Sequence, residues 1–115
     1  MQKFIGTGVA LVTPFNTDKS VDFVALAKLV EFNIDNGINY LVINGTTGES
    51  PTVSKKERQK IIEVIASINQ GRLPLVLGIG GNNTAAVIEE IQSEDLSLID
   101  AILSVAPYYS KPTQE

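Results

Sequence analysis

Apolar and polar positions alternate along the chain in a repeated rhythm: a short apolar run, a polar loop, then apolar residues at helical spacing. The first run covers Gly6 to Val12 and stops at Thr13-Pro14; its near-continuous apolar character suits a strand covered on both faces, as in a parallel sheet. Asn16 to Ser20 is a polar turn. Asp22 then caps a helix in which Phe23, Leu26, Ala27, Val30 and Ile34 share a face, and Asn36-Gly37 stops it. Tyr40 to Ile43 is the second strand. Ser54-Lys55-Lys56-Glu57 has the form of a capping box, with Ile61, Val64, Ile65 and Ile68 as the buried stripe of the helix behind it. Leu73 to Ile79 gives a third strand, and Gly80 to Thr84 a tight loop. A third helix follows with Val87, Ile88 and Ile91 inward. Ile99 to Ala106 is the fourth strand, halted by Pro107.

The order is therefore β-α-β-α-β-α-β, the rhythm of right-handed βαβ units on a parallel sheet. Two α/β architectures fit: a small doubly wound sheet, or the N-terminal half of a TIM (β/α)8 barrel. A whole barrel takes about 250 residues, so a chain of 115 would hold strands 1 to 4 of one, without the remainder. In that case residues 1–115 form one portion of a barrel domain, with the first and fourth strands left as edges that favour pairing with more protein.

Composition narrows the chemistry. The net charge is −4, and the densest cationic stretch is Lys55-Lys56 with Arg58, so nucleic acid and anionic membrane are poor partners. Cysteine and histidine are both absent, which removes thiolate catalysis, disulfides and the commonest general base and metal ligand. No metal or cofactor is expected. The sequence has no apolar run of membrane-spanning length and no basic stretch leading into an apolar core, which points to the cytoplasm.

Polar residues collect after each strand: Thr13, then Thr46 and Thr47, then Asn82 to Thr84, then Tyr108 and Tyr109. In a βα barrel that end holds the active site. Asn44-Gly45-Thr46-Thr47-Gly48-Glu49-Ser50 stands out, because glycines beside paired hydroxyls and bare N–H groups suit a small anion. The same segment also reads as a plain threonine-glycine turn, and the two tyrosines as a lid or interface pair. Glu49 has no second carboxylate to work with, and its expected job is to accept N–H groups near the helix start. Gly78-Ile79-Gly80-Gly81 is no dinucleotide fingerprint, since residue 83 is Asn, and no P-loop follows any glycine pair. None of the seven lysines, at 3, 19, 28, 55, 56, 60 and 111, lies inside an apolar strand.

Gly45-Thr46-Thr47-Gly48-Glu49-Ser50 resembles the signature loop of the dihydrodipicolinate synthases, members of the pyruvate-dependent aldolase superfamily that includes N-acetylneuraminate lyase. Val105-Ala106-Pro107-Tyr108-Tyr109 resembles the family's fourth-strand motif. The resemblance implies condensation of pyruvate with aspartate semialdehyde through a lysine Schiff base, within lysine and diaminopimelate biosynthesis. It assigns the hydroxyl of Thr46 and the phenol of Tyr109 to a proton relay, and gives Thr47 the pyruvate carboxylate. Tyr109 would serve a neighbouring subunit, which implies a homo-oligomer, a dimer of dimers. The Schiff-base lysine and a second relay tyrosine belong to later strands, so this chain alone is expected to be inactive. Many relatives also bind lysine as an inhibitor at a subunit interface. Ser50, Asn82 and Tyr108 match that effector site, whereas Lys55, Arg58 and Ala86 replace its histidines and glutamate, which predicts weak inhibition or none through repulsion between cations. The alternatives are a sugar-acid aldolase such as N-acetylneuraminate lyase, and a self-associating half-barrel that acts as a binding or structural module.

Overall fold

The computed structural model describes residues 2–109 and 113. Four strands, β1 (Gly8–Ala10), β2 (Tyr40–Ile43), β3 (Leu75–Gly78) and β4 (Ala101–Leu103), alternate with three helices, α1 (Phe23–Asp35), α2 (Lys55–Asn69) and α3 (Thr84–Ser93). The three pairings between these strands are parallel, and the sheet order is β1-β2-β3-β4. That order separates the two architectures left open by periodicity. A doubly wound sheet must reverse direction at a switch point, which places non-consecutive strands side by side. Here each strand lies next to its successor, as in a singly wound barrel wall.

The strands are shorter than their apolar runs. Gly6, Val12, Ile99 and Val105 fall outside the ladders, as do Leu73 and Ile79 of the central run. The core is Leu26 and Val30 of α1, Ile61, Ile62 and Ile65 of α2, and Leu41, Ile43, Leu75 and Leu77 from the central strands. Ile62 was not foreseen on the buried stripe, yet is 1% exposed. Ile88 was expected to face inward and instead is half exposed; Val87 and Ile91 carry the contact of α3 with the core.

Helix starts follow the sequence closely. Asp22 Oδ1 accepts from the Ala25 N–H, Ser54 and Glu57 complete a reciprocal capping box, and Asn83 Oδ1 accepts from the Ala86 N–H. Glu57, not Glu49, accepts the N–H at the start of α2. Glu49 instead takes a left-handed conformation (φ 58°) between two single turns of 3-10 helix, Thr46–Gly48 and Ser50–Thr52, with no side-chain cap. This corrects the capping role expected of it.

The amino-terminal ends of the strands are tied by side chains. Asp100 Oδ2 accepts the Leu75 N–H at 2.9 Å, and its other oxygen meets Lys3 Nζ at 2.6 Å. Asn39 Oδ1 accepts the Thr7 N–H at 2.8 Å. No helix among the described residues is long and apolar enough to cross a membrane.

Candidate active site

The loop after β2 is built by three devices. Asn44 leaves the strand with φ 56°, a left-handed turn that its short polar side chain tolerates. Gly78 at the end of β3 lets the Asn44 backbone come close: a Cβ there would lie 2.6 Å from the Asn44 carbonyl oxygen. Thr13, just beyond β1, donates its hydroxyl to the buried Gly48 carbonyl at 2.6 Å. The loop is thus pinned from both neighbouring strands, while the Thr46 and Thr47 side chains remain exposed at the carboxyl-terminal rim.

The loop's N–H groups are only partly bare. Gly48 and Glu49 donate to the carbonyls of Gly45 and Thr46, closing the 3-10 turn, whereas Thr46 and Thr47 carry no backbone bond of this kind among the described residues. The anion-binding capacity expected of the whole loop therefore narrows to the two threonines, where hydroxyl and N–H stand together.

A groove of about 800 Å³ opens beside the loop, between the rim and the outer ends of α2 and α3. Thr46, Ser50 and Tyr108 line it. Asn82 joins them indirectly, since its Oδ1 accepts the Tyr108 N–H at 2.7 Å and fixes the start of the tyrosine pair. Thr47 and Tyr109 lie on the same rim but outside the groove. Tyr109 is 98% exposed with φ 72°, a left-handed backbone that a bulky residue adopts only at a cost. Its side chain stands in solvent.

Electrostatics in the groove differ from the sequence expectation. Arg58 is not a free cation: the guanidinium hydrogen-bonds to Glu90 Oε1 and, at 2.6 Å, to Glu94 Oε2. Burial acts to lower its pKa, but the two carboxylates outweigh this and raise it. Glu89 and Glu90 also line the groove. Lys55 donates to Ser93 Oγ at 3.0 Å. The charge of Arg58 is thus answered by carboxylates, whereas the ammonium of Lys55 meets only a neutral hydroxyl. The network was missed in the sequence, although Glu90 in the last turn of α3 and Glu94 just past its end are four apart, and Arg58 stands in the first turn of another helix.

Lys3, Lys19, Lys28, Lys55, Lys56 and Lys60 are all exposed, and Lys111 lies outside the described residues. None of these six described side chains sits in dry, apolar surroundings.

Comparison with known proteins places this geometry. Residues 3–115 match the model of the dihydrodipicolinate synthetase family. The chain belongs to that family. It is 60% identical over all 115 residues to a 4-hydroxy-tetrahydrodipicolinate synthase of Flavobacterium psychrophilum, of which it spans 39%. The fold of the family extends to solved structures. A monomeric dihydrodipicolinate synthase variant superposes with a TM-score of 0.90 at 40% identity, over 98% of this chain and 37% of that one. The Acinetobacter baumannii dihydrodipicolinate synthase complexed with pyruvate gives 0.86 at 44% identity, over 95% and 38%. An N-acetylneuraminate lyase from Mycoplasma synoviae gives 0.81 at 29% identity, over 96% and 39%. The family membership and the consecutive sheet order together identify the chain as the N-terminal half of a (β/α)8 barrel, spanning well under half the length of the relatives it matches.

Proposed function

We propose that the chain is the amino-terminal portion of a 4-hydroxy-tetrahydrodipicolinate synthase, residues 1–115 of the barrel domain, and that the rim loop holds pyruvate during its condensation with aspartate semialdehyde. The observation that carries this reading is the exposure of Thr46 and Thr47 at the rim, on a loop pinned by Thr13 and Gly78. In it, Thr47 binds the keto-acid carboxylate with its hydroxyl and N–H. Thr46 passes a proton through its hydroxyl, which both donates and accepts. Tyr109 reaches from one subunit toward the site of another, so the working enzyme is an oligomer, a dimer of dimers; its exposure to solvent supports this. No metal or organic cofactor takes part, and the protein works in the cytoplasm.

The Schiff-base lysine comes from outside this chain, because the described lysines are solvent-exposed. Borohydride trapping with pyruvate tests this directly. The full-length protein should be labelled and the 115-residue chain should not; label on the short chain, or none on the long one, refutes the reading.

Ser50, Asn82 and Tyr108 form the effector groove in the same reading, and lysine inhibits weakly there. The reason is occupancy by Arg58 rather than repulsion. A micromolar inhibition constant for lysine would contradict it. A sugar-acid aldolase is the second reading, favoured by the likeness to the N-acetylneuraminate lyase; turnover of sialic acid in preference to aspartate semialdehyde with pyruvate would select it.

A further inference from the structure

Negative charge is concentrated where α3 ends. Glu90 and Glu94 stand one turn apart, and the last carbonyls of the helix add the negative end of its dipole. The Glu94 side chain is 1% exposed, so water does not answer its charge. Among the described residues Arg58 alone pairs with either carboxylate, and it pairs with both. It comes from the first turn of α2, the end of a helix where a cation is least favoured. The Arg58 side chain is itself nine-tenths buried, and its Nε has no partner of any kind. Local helix energetics on α2 and full satisfaction of the guanidinium are both given up to place this one group between two carboxylates. That spot forms the wall of a solvent-open groove large enough for a small amine.

We infer that the Glu90–Glu94 pair is a receptor for a guanidinium or alkylammonium group, which the chain keeps filled with its own Arg58. The arginine is a tethered ligand. It fixes the separation of α2 and α3, and it keeps external cations off this carboxylate pair. Thr46 and Ser50, which line the same groove, therefore sit beside a wall whose position no diffusible amine sets. The inference rests on the proposed function only in taking this groove for an effector site. The cation-binding claim stands on the cluster itself.

Removal of the tether should create a site for a free cation. The test uses the full-length protein, melted with 10 mM methylguanidinium chloride and, as control, with 10 mM sodium chloride. For Arg58→Ala we expect a saturable rise in Tm of about 3 °C in methylguanidinium, the response of a site filled several-fold above its Kd. The wild type should not respond, and neither should Arg58→Ala/Glu94→Gln, in which the buried charge is gone. Equal melting of Arg58→Ala in both salts, or an equal rise in the wild type, overturns the inference. If Arg58→Ala does not fold unaided, refolding from urea supplies the readout: recovery only with methylguanidinium supports the receptor, and recovery in neither salt overturns it. Condensation activity plays no part in these measurements. Loss of the proposed enzymatic function would leave the rescue intact, and loss of the rescue would leave that function standing.

Discussion

The Thr13 hydroxyl donates to the Gly48 carbonyl at 2.6 Å, and both residues are buried. The bond joins the end of β1 to the loop after β2 and so holds the span that carries Thr46 and Thr47. Thr13→Val keeps the side-chain shape and strands the carbonyl, which costs about 1 to 3 kcal/mol. We expect that loss in urea unfolding of the full-length protein, with a fall in kcat from the loosened loop. A variant as stable and as active as the wild type would show that the bond is incidental.

Gly78→Ala attacks the same loop from the other side. The added methyl would lie 2.6 Å from the Asn44 carbonyl oxygen and 3.1 Å from the Gly45 Cα, both backbone atoms that cannot rotate aside. Overpacking of this kind costs about 1 to 3 kcal/mol. The expected signature is lower stability together with weaker pyruvate binding, measured by titration, since the displaced backbone carries the threonines.

Thr46 and Thr47 should separate in kinetics. Thr46→Val removes the hydroxyl proposed to pass the proton while keeping its volume, and kcat should fall by about 10²-fold or more with little change in the KM for pyruvate. Thr46→Ser should restore most of the rate. Thr47→Val should act mainly on the KM for pyruvate. A reversed pattern would exchange the two roles, and two silent variants would remove the loop from the chemistry.

The sequence disclosed the βαβ rhythm because apolar runs and caps are local signals. Asp22 and Ser54 each sit one residue before a helix, and each caps it; Asn83, which the sequence places in a tight loop, caps the third. The signature loop was also legible, since two threonines between glycines are visible without coordinates. What could not be read was whatever depends on two distant segments meeting. Thr13 finds Gly48 across 35 positions, and Arg58 finds Glu94 across 36. Arg58 looks like a free cation in the sequence because its carboxylate partners lie at the end of another helix. Glu49 misled for a different reason: a glutamate near a helix start suggests a cap, but Glu57 stands three residues beyond Ser54 and takes that place.

Acid stability should depend on Asp100. Its hydrogen bond to Lys3, then the one from the Leu75 N–H, hold its pKa below the ordinary 3.8. A depressed folded-state pKa gives stability that is fully present above the unfolded value and is lost as pH falls through the folded one. Urea midpoints of the wild type should therefore drop on acidification from about pH 4 downward, and Asp100→Asn should show a shallower acid limb from a lower plateau. Parallel curves for the two proteins would mean that Asp100 contributes nothing pH-dependent.

Lys3–Asp100, Asp100–Leu75 and Asn39–Thr7 all fasten the strands at their starts, whereas Thr46, Thr47, Ser50 and Tyr108 stand past their finishes. The fastening contacts and the proposed site are thereby kept apart along the barrel axis. A designer can rewrite what the upper loops recognise and leave the foundation undisturbed, provided Thr13 and Gly78, the two residues that moor the first of those loops, stay as they are.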